Sequence, residues 1–328
     1  MDRQLRIVSG MRTSGLLHLG NFVGALSNWT NLQHEYDCYF FVADWHGLTT
    51  DYDDTSEIRT WTREIMTDWL AAGLDPDKCV LFVQSDVIEH AELHLLFSMC
   101  TPLAWLERVP TYKERLREQS TRELATYGLL GYPVLQASDI LIYKGEAVPV
   151  GEDQAPHLEL TREIARRFNF LYGQVFPEPQ LLLARFPSLP GIDGRKMSKS
   201  YDNSILLSAT PKQIAERVSM MVTDPARIRR KDPGKPEVCT AYRFHEVFNS
   251  SEVEQIASAC RNAEIGCVEC KRNLGKVLSA IMEPHYERRR QIAANTALVD
   301  DVMEHGASRA RAVAQETMAE VRKAMKLR

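Results

Sequence analysis

Lys196 and Lys199 bracket Met197 and Ser198 in the stretch "GRKMSKSYDN" (194–203), with Gly194 and Ser200 as small flanking residues. Two cations on such a loop suit a reaction in which negative charge grows on a leaving polyphosphate. A loop that closes late binds the transition state better than the ground state. Upstream, "SGMRTSGLLHLGN" (9–21) runs from an apolar segment through Gly10 into a Gly- and Ser-rich turn, where His18-Leu19-Gly20-Asn21 opens an amphipathic segment. A helix that starts beyond a strand in a parallel sheet offers free N–H groups to phosphate. Gly20, lacking a Cβ, lets a flat ring or a ribose lie on the backbone. His18 and Asn21 are neutral donors for phosphate oxygens. No Gly-Lys-Ser/Thr follows, so this is not a Walker loop. Either stretch alone fits a structural turn or a solvated basic loop; together they point to ATP cleavage.

The elements that must position these stretches are legible around them. "LRIVSG" (5–10), "CYFFVAD" (38–44) and "CVLFVQS" (79–85) read as buried strands, while 16–34 and 56–73 carry helical spacing. In the second, Ile58, Trp61, Ile65, Trp69 and Ala72 fall near one face. Strand–helix–strand repetition with apolar strands implies a Rossmann-like, doubly wound α/β parallel sheet. After residue 203 strand signals stop, and helices are expected over 211–222, 252–263, 272–292 and 298–325. The loop "TDPARIRRKDPGKPEV" separates two of them. The expected organisation is therefore a catalytic α/β domain over 1–202 and an all-helical domain over 203–328.

The two loop motifs resemble the signatures of class I aminoacyl-tRNA synthetases, "HIGH" written here as HLGN (18–21) and "KMSKS" intact at 196–200. "GYPVLQASDILIY" (131–143), "VPVGEDQAPHLELTREIARRFN" (148–169) and "MMVTDPARIRR" (220–230) resemble the tryptophanyl-tRNA synthetase family, over nearly the whole chain. The resemblance implies activation of tryptophan by ATP, transfer of the acyl group to tRNA(Trp), and a homodimer. No covalent enzyme intermediate is implied, so no activated nucleophile is needed. Mg²⁺ is expected with ATP, held by its phosphates.

Site residues follow from the same resemblance, one position at a time. Asp139 is implied as the acceptor for the indole N–H, a group that only donates. Gly10, His46, Tyr132 and Gln154 match the rest of the tryptophan subsite, and Met11, Arg12, Thr13, His18, Gly20, Asn21, Asp153, Met197 and Ser198 the ATP subsite. Lys196 and Lys199, with Lys113 or Arg115, are expected to face the phosphates. Two departures stand out: Arg12 and His18 occupy positions where relatives often carry Gln and Thr, and Gln136 replaces a Met beside the indole. Tyrosine also presents a ring donor, so Asp139 alone does not exclude a tyrosyl enzyme. A nucleotidyltransferase of related fold, or a synthetase-like RNA-binding protein, would share parts of the pattern.

Four cysteines, Cys239, Cys260, Cys267 and Cys270, read C-x20-C-x6-C-x2-C. A single C-x-x-C leaves zinc, an iron–sulfur cluster and an unmetallated set open. A subset of the tryptophanyl enzymes resembles this chain here and carries a [4Fe–4S] cluster near the anticodon-binding surface, with a first spacing two residues longer. Seven cysteines in all, an odd number, and no signal-like N-terminus point to a reducing cytoplasm. From residue 226 onward 19 Lys and Arg face 14 Asp and Glu, a balance of +5 against −9 for the remainder. That asymmetry favours a polyanion such as tRNA at the helical end.

Overall fold

The computed structural model describes residues 4–110, 112–113, 126–151, 154–183, 189–198 and 201–328. Five parallel strands form one sheet in the order β3-β2-β1-β4-β5. They are β1 (Arg6–Arg12), β2 (Asp37–Ala43), β3 (Cys79–Val83), β4 (Ala147–Val150) and β5 (Gln180–Leu183). The period of two is visible in the core. Ile7, Cys38, Phe40, Val42 and Leu81 enter one apolar layer, while Val8, Tyr39, Phe41, Val80 and Phe82 enter the other. Both faces are therefore covered, which is why these strands read as continuous apolar runs.

The first layer is closed by the helical stretch 19–32 and by the helix Ile58–Ala72, whose Ile65, Met66 and Trp69 are buried. Between Leu19–Asn21 and Ser27–Leu32 the stretch passes through a π-helical segment, Phe22–Leu26. The second layer takes the helices Glu89–Cys100, Tyr127–Leu141 and Ala155–Tyr172.

β4 and β5 carry no clear signal in the sequence. Each has four residues, and Pro149 lies inside β4. The sheet tolerates that proline because β1 pairs with β4 at Ile7↔Ala147 only, while Pro149 stands opposite Leu182 of β5. Beyond Ala147, then, no β1 ladder requires an N–H from this strand.

From residue 203 onward no strand occurs among the described residues. The helices are Pro211–Ser219, Thr240–Phe248, Val253–Arg261, Cys267–Ala293 and Thr296–Ala324; Thr240–Phe248 has no counterpart among the expected ones. Ile214, Phe244, Leu274, Leu278 and Val299 join the first apolar layer, so the helical part is packed directly on the sheet domain. The last helix lies against edge strand β3: a Cβ on Gly306 would meet the Leu81 carbonyl oxygen, and Arg309 donates to the carbonyls of Pro76 and Cys79. That covers an edge which would otherwise be open to pairing. No helix among the described residues is long and apolar enough to cross a membrane.

Candidate active site

The sheet order reverses between β1 and β4, and ligands of open α/β sheets bind beyond the carboxyl ends of the strands at such a point. A cavity of about 330 Å³ lies there. Ser9, Gly10 and Arg12 reach it from β1, Phe41 and Ala43 from β2, and Val148 from β4. Tyr132, Gln136, Asp139 and Ile140 line it from the helix Tyr127–Leu141, and Gln154 and His157 from the start of the helix Ala155–Tyr172. Gly10, Arg12, His46, Tyr132, Asp139 and Gln154, separated widely in the chain, are thus brought to one space.

Among the described residues Asp139 is the one carboxylate in its wall, and it is 1% exposed. Its Oδ2 lies 2.7 Å from His46 Nε2. Its Oδ1 lies 2.7 Å from His90 Nδ1 and accepts from Gln84 Nε2, also at 2.7 Å. Burial by itself would push this carboxyl up. The hydrogen bonds from His46 and His90, with the attraction of the two rings, outweigh that and hold it near about 2. Behind it, His90 Nε2 is 2.6 Å from the Tyr143 hydroxyl. Across the cavity the Tyr132 hydroxyl is 3.2 Å from His157 Nε2. Phe41, Ala43, Leu129, Tyr132, Ile140 and Val148 give the cavity an apolar and aromatic side, suited to a flat ring with one polar handle.

The HLGN turn forms as the spacing implies. His18 is the N-cap of the helical stretch and closes a capping box: its Nδ1 accepts from the Asn21 N–H at 3.2 Å, and Asn21 Oδ1 accepts from the His18 N–H at 3.0 Å. With Nδ1 and Oδ1 committed to the cap, phosphate contact would fall to His18 Nε2 and the Asn21 amide. Met197 is buried, and its Sδ would stand 3.4 Å from a Cβ placed on Gly20. The two motifs therefore touch, across the whole intervening chain.

Other expected residues are placed differently. Arg12 lines the cavity and donates to Thr50 Oγ1 at 2.5 Å. Thr13 is fully buried, with its hydroxyl against Gly47, and does not line the cavity. Met11 is buried in the first apolar layer. Lys196 and Lys113 are exposed. Arg115, Asp153 and Lys199 lie outside the described residues.

The four cysteines converge. Cys239 caps the helix Thr240–Phe248, Cys260 ends the helix Val253–Arg261, and Cys267 and Cys270 begin the helix Cys267–Ala293. Arg227 Nη1 lies 3.8 Å from Cys260 Sγ and 3.9 Å from Cys267 Sγ, and Cys270 Sγ lies 3.5 Å from His245 Nε2. Burial pushes the Cys270 thiol up to about 12, and the charges of the other three cysteines add to it. All seven cysteines are free. Among the described residues no three or more of His, Cys, Asp and Glu are set at the spacing of a single metal ion.

The chain is similar to known proteins along nearly its whole length. The profile of the family "tRNA synthetases class I (W and Y)" matches residues 1–283. The chain is 55% identical to the tryptophan–tRNA ligase of Thermotoga maritima, over 98% of this chain and 99% of that protein. It is 46% identical to the tryptophan–tRNA ligase of Aquifex aeolicus, over 98% and 100%. The crystal structure of tryptophanyl-tRNA synthetase from Campylobacter jejuni, complexed with ADP and tryptophan, superposes with a TM-score of 0.88 at 30% identity, over 98% of this chain and all of that one.

Proposed function

Because the chain belongs to the class I tRNA synthetases of the W and Y family, we propose that the cavity at the β1–β4 switch point binds tryptophan beside ATP, with Asp139 accepting the indole N–H. The activity is that of a tryptophan–tRNA ligase. The tryptophan carboxylate attacks the α-phosphorus of ATP, giving tryptophanyl-adenylate and pyrophosphate. A ribose hydroxyl at the 3′ end of tRNA(Trp) then attacks the acyl carbon and releases AMP.

The observation that carries the assignment is the buried, ionised Asp139 beside the apolar and aromatic side of the cavity. It gives a donor-only ring nitrogen a partner, and a phenylalanine would leave it unpaired at a cost of about 1–3 kcal/mol or more. Tyr132, Gln154 and His46 surround the same space and take the amino acid's polar end and ring. Gly20, Asn21, His18, Met197 and Ser198 form the ATP subsite with Arg12 and Asp153. Lys196 and Lys199, with Lys113 or Arg115, neutralise pyrophosphate as it leaves. Mg²⁺ enters with ATP and shares that charge. Tryptophan-dependent exchange of labelled pyrophosphate into ATP tests the assignment. Exchange with tyrosine at an equal rate would overturn it, as would exchange without any amino acid.

The division into a chemical part (1–202) and a tRNA-reading part (203–328) is supported by a groove of about 550 Å³ bordered by Lys271, Arg272 and Lys276, on the C-terminal part of the chain, where positive charge is in excess. Homodimerisation is supported by Ile88, Leu95, Met99, Leu103 and Tyr127, which present a run of exposed apolar side chains around the helix Glu89–Cys100. A reducing cytoplasm fits the seven free thiols.

Four converging thiols, with Arg227 beside two of them, fit the donor set of a [4Fe–4S] cluster, and Cys239, Cys260, Cys267 and Cys270 would hold it. A cluster accepts thiolates set wider than the roughly 3.8 Å that tetrahedral Zn–S bonds require. When bound it would tie the loop before residue 239 to the start of the helix Cys267–Ala293. Anaerobic purification should yield about four iron and four sulfide per chain. Zinc, or no metal, would overturn the cluster and leave the ligase reading standing.

A further inference from the structure

The residues behind Asp139 carry an inference that deepens the tryptophan reading and rests on it. An ionised carboxylate has about four lone-pair positions. Oδ1 spends two, on Gln84 Nε2 and His90 Nδ1, and Oδ2 spends one, on His46 Nε2. One position remains, and it is on Oδ2. Asp139 and His46 line the cavity, whereas Gln84, His90 and Tyr143 do not. All three of those are fully buried.

The direction of the hydrogen bonds follows from the charge. An ionised Asp139 only accepts, so His90 Nδ1 must carry a hydrogen. Its other ring nitrogen, Nε2, pairs at 2.6 Å with the Tyr143 hydroxyl, a phenol that holds its own hydrogen. Burial and the nearby Asp139 charge push the Tyr143 phenol well up, which keeps that hydrogen in place. Tyr143 is rigidly held, stacked on Tyr39 at 4.9 Å and edge-on to Phe82 at 5.5 Å.

We propose that Tyr143 and His90 are positioning residues for substrate choice: the Tyr143 hydroxyl holds the His90 ring in place, His90 fixes Asp139, and the one open lone pair on Oδ2 is thereby aimed at the ring N–H of the substrate. Without the hydroxyl, His90 Nε2 loses its partner at 2.6 Å and the ring is held on one side only. The ring then turns, and the carboxylate bonded to it turns with it. The relay touches no substrate atom and acts on discrimination rather than on phosphate chemistry.

The test uses pyrophosphate exchange by the full chain with tryptophan and with its analogue in which sulfur replaces the ring N–H. The readout is the ratio of kcat/KM for the two. Tyr143→Phe should lower that ratio about 10-fold, mainly through the KM for the amino acid, and leave the KM for ATP unchanged. Adding His90→Asn to Tyr143→Phe should restore the ratio to within about 3-fold of the wild type, because an amide N–H reaches Oδ1 with no ring left to hold from its far side. A ratio unchanged by Tyr143→Phe, or lowered and not restored, overturns the relay. A wild-type ratio near one would instead remove the acceptor role of Asp139, and the relay with it.

Discussion

Asn203 donates from Nδ2 to the Lys196 carbonyl oxygen at 3.1 Å, and so fixes the backbone at the first lysine of the basic loop. The same nitrogen donates to Asp193 Oδ1 at 2.7 Å, and Asn203 Oδ1 accepts from the Ser198 N–H at 2.8 Å. Its backbone oxygen accepts from the Ile192 N–H at 2.8 Å. One side chain, 1% exposed, therefore spans the loop from residue 193 to residue 198.

Asn203→Ala removes these side-chain bonds at once and loosens the placement of Lys196. With Lys196 in the proposed role on leaving pyrophosphate, its misplacement should lower kcat for exchange by about 10- to 100-fold. The KM for tryptophan should stay within about 2-fold, since the Asp139 wall is built elsewhere. Steady-state exchange at varied tryptophan separates the two; a change confined to KM would contradict this role.

Gly306 and Gly275 make a matched pair on the two longest helices. A Cβ on Gly306 would lie 1.7 Å from the Leu81 carbonyl oxygen, which is backbone of a sheet strand and cannot step aside. On Gly275 the nearest atom would be Ala215 Cα at 3.6 Å, ordinary contact. Gly306→Ala should therefore destabilise the protein by about 1–3 kcal/mol or more. Gly275→Ala should be neutral or stabilising by up to about 1 kcal/mol, through helix propensity. Thermal or chemical denaturation of the two variants side by side checks the contrast, and equal midpoints would contradict it.

How much of this was legible depends on where the information lies. β1, β2 and β3 declare themselves because both faces of each strand are buried, which leaves long apolar runs. β4 and β5 are too short for periodicity, and Pro149 argues against a strand until the single β1 pairing at Ala147 is seen. Asp139, His46, Tyr132 and Gln154 came from motif likeness, and the fold brings them together. Gln84 and His90 meet Asp139 across 55 and 49 residues, by tertiary packing that no local pattern encodes. Tyr143 had a faint signal, four residues after Asp139 and so on the same side of that turn of chain. His157 is three residues beyond Gln154, at the opening of the same helix, and could have been found in that way. Thr13 came from the same likeness, and its side chain lies beside Gly47.

The helix Cys267–Ala293 joins the sheet domain through a buried histidine. His285 Nε2 donates to the Asp68 carbonyl at 3.4 Å, and Arg289 pairs with Asp68 at 2.6 Å and with Glu64. Burial pushes His285 down to about 4, and the neighbouring Arg289 and Arg288 charges push the same way. A depressed histidine binds its proton in the unfolded chain first, so its contribution is complete above about pH 6.5 and is lost as pH falls toward 4. Between pH 7 and 5 the loss is about 2 kcal/mol. Asp139 acts in a lower window, between about 4 and 2, where its own contribution fades as pH falls. His285→Gln should flatten the acid-side decline measured by chemical denaturation at pH 7 and 5. A variant with the same decline as the wild type would show that His285 is not its source.

The most direct measurement is tryptophan-dependent pyrophosphate exchange by Asp139→Asn against the wild type, after matched thermal midpoints show that both are folded. Asparagine keeps the shape, removes the charge and turns one acceptor into a donor. kcat/KM for tryptophan should fall by about 10²-fold or more, with the KM for ATP within about 3-fold. A variant that activates tryptophan as well as the wild type would contradict the assignment of Asp139 as the residue that recognises the indole.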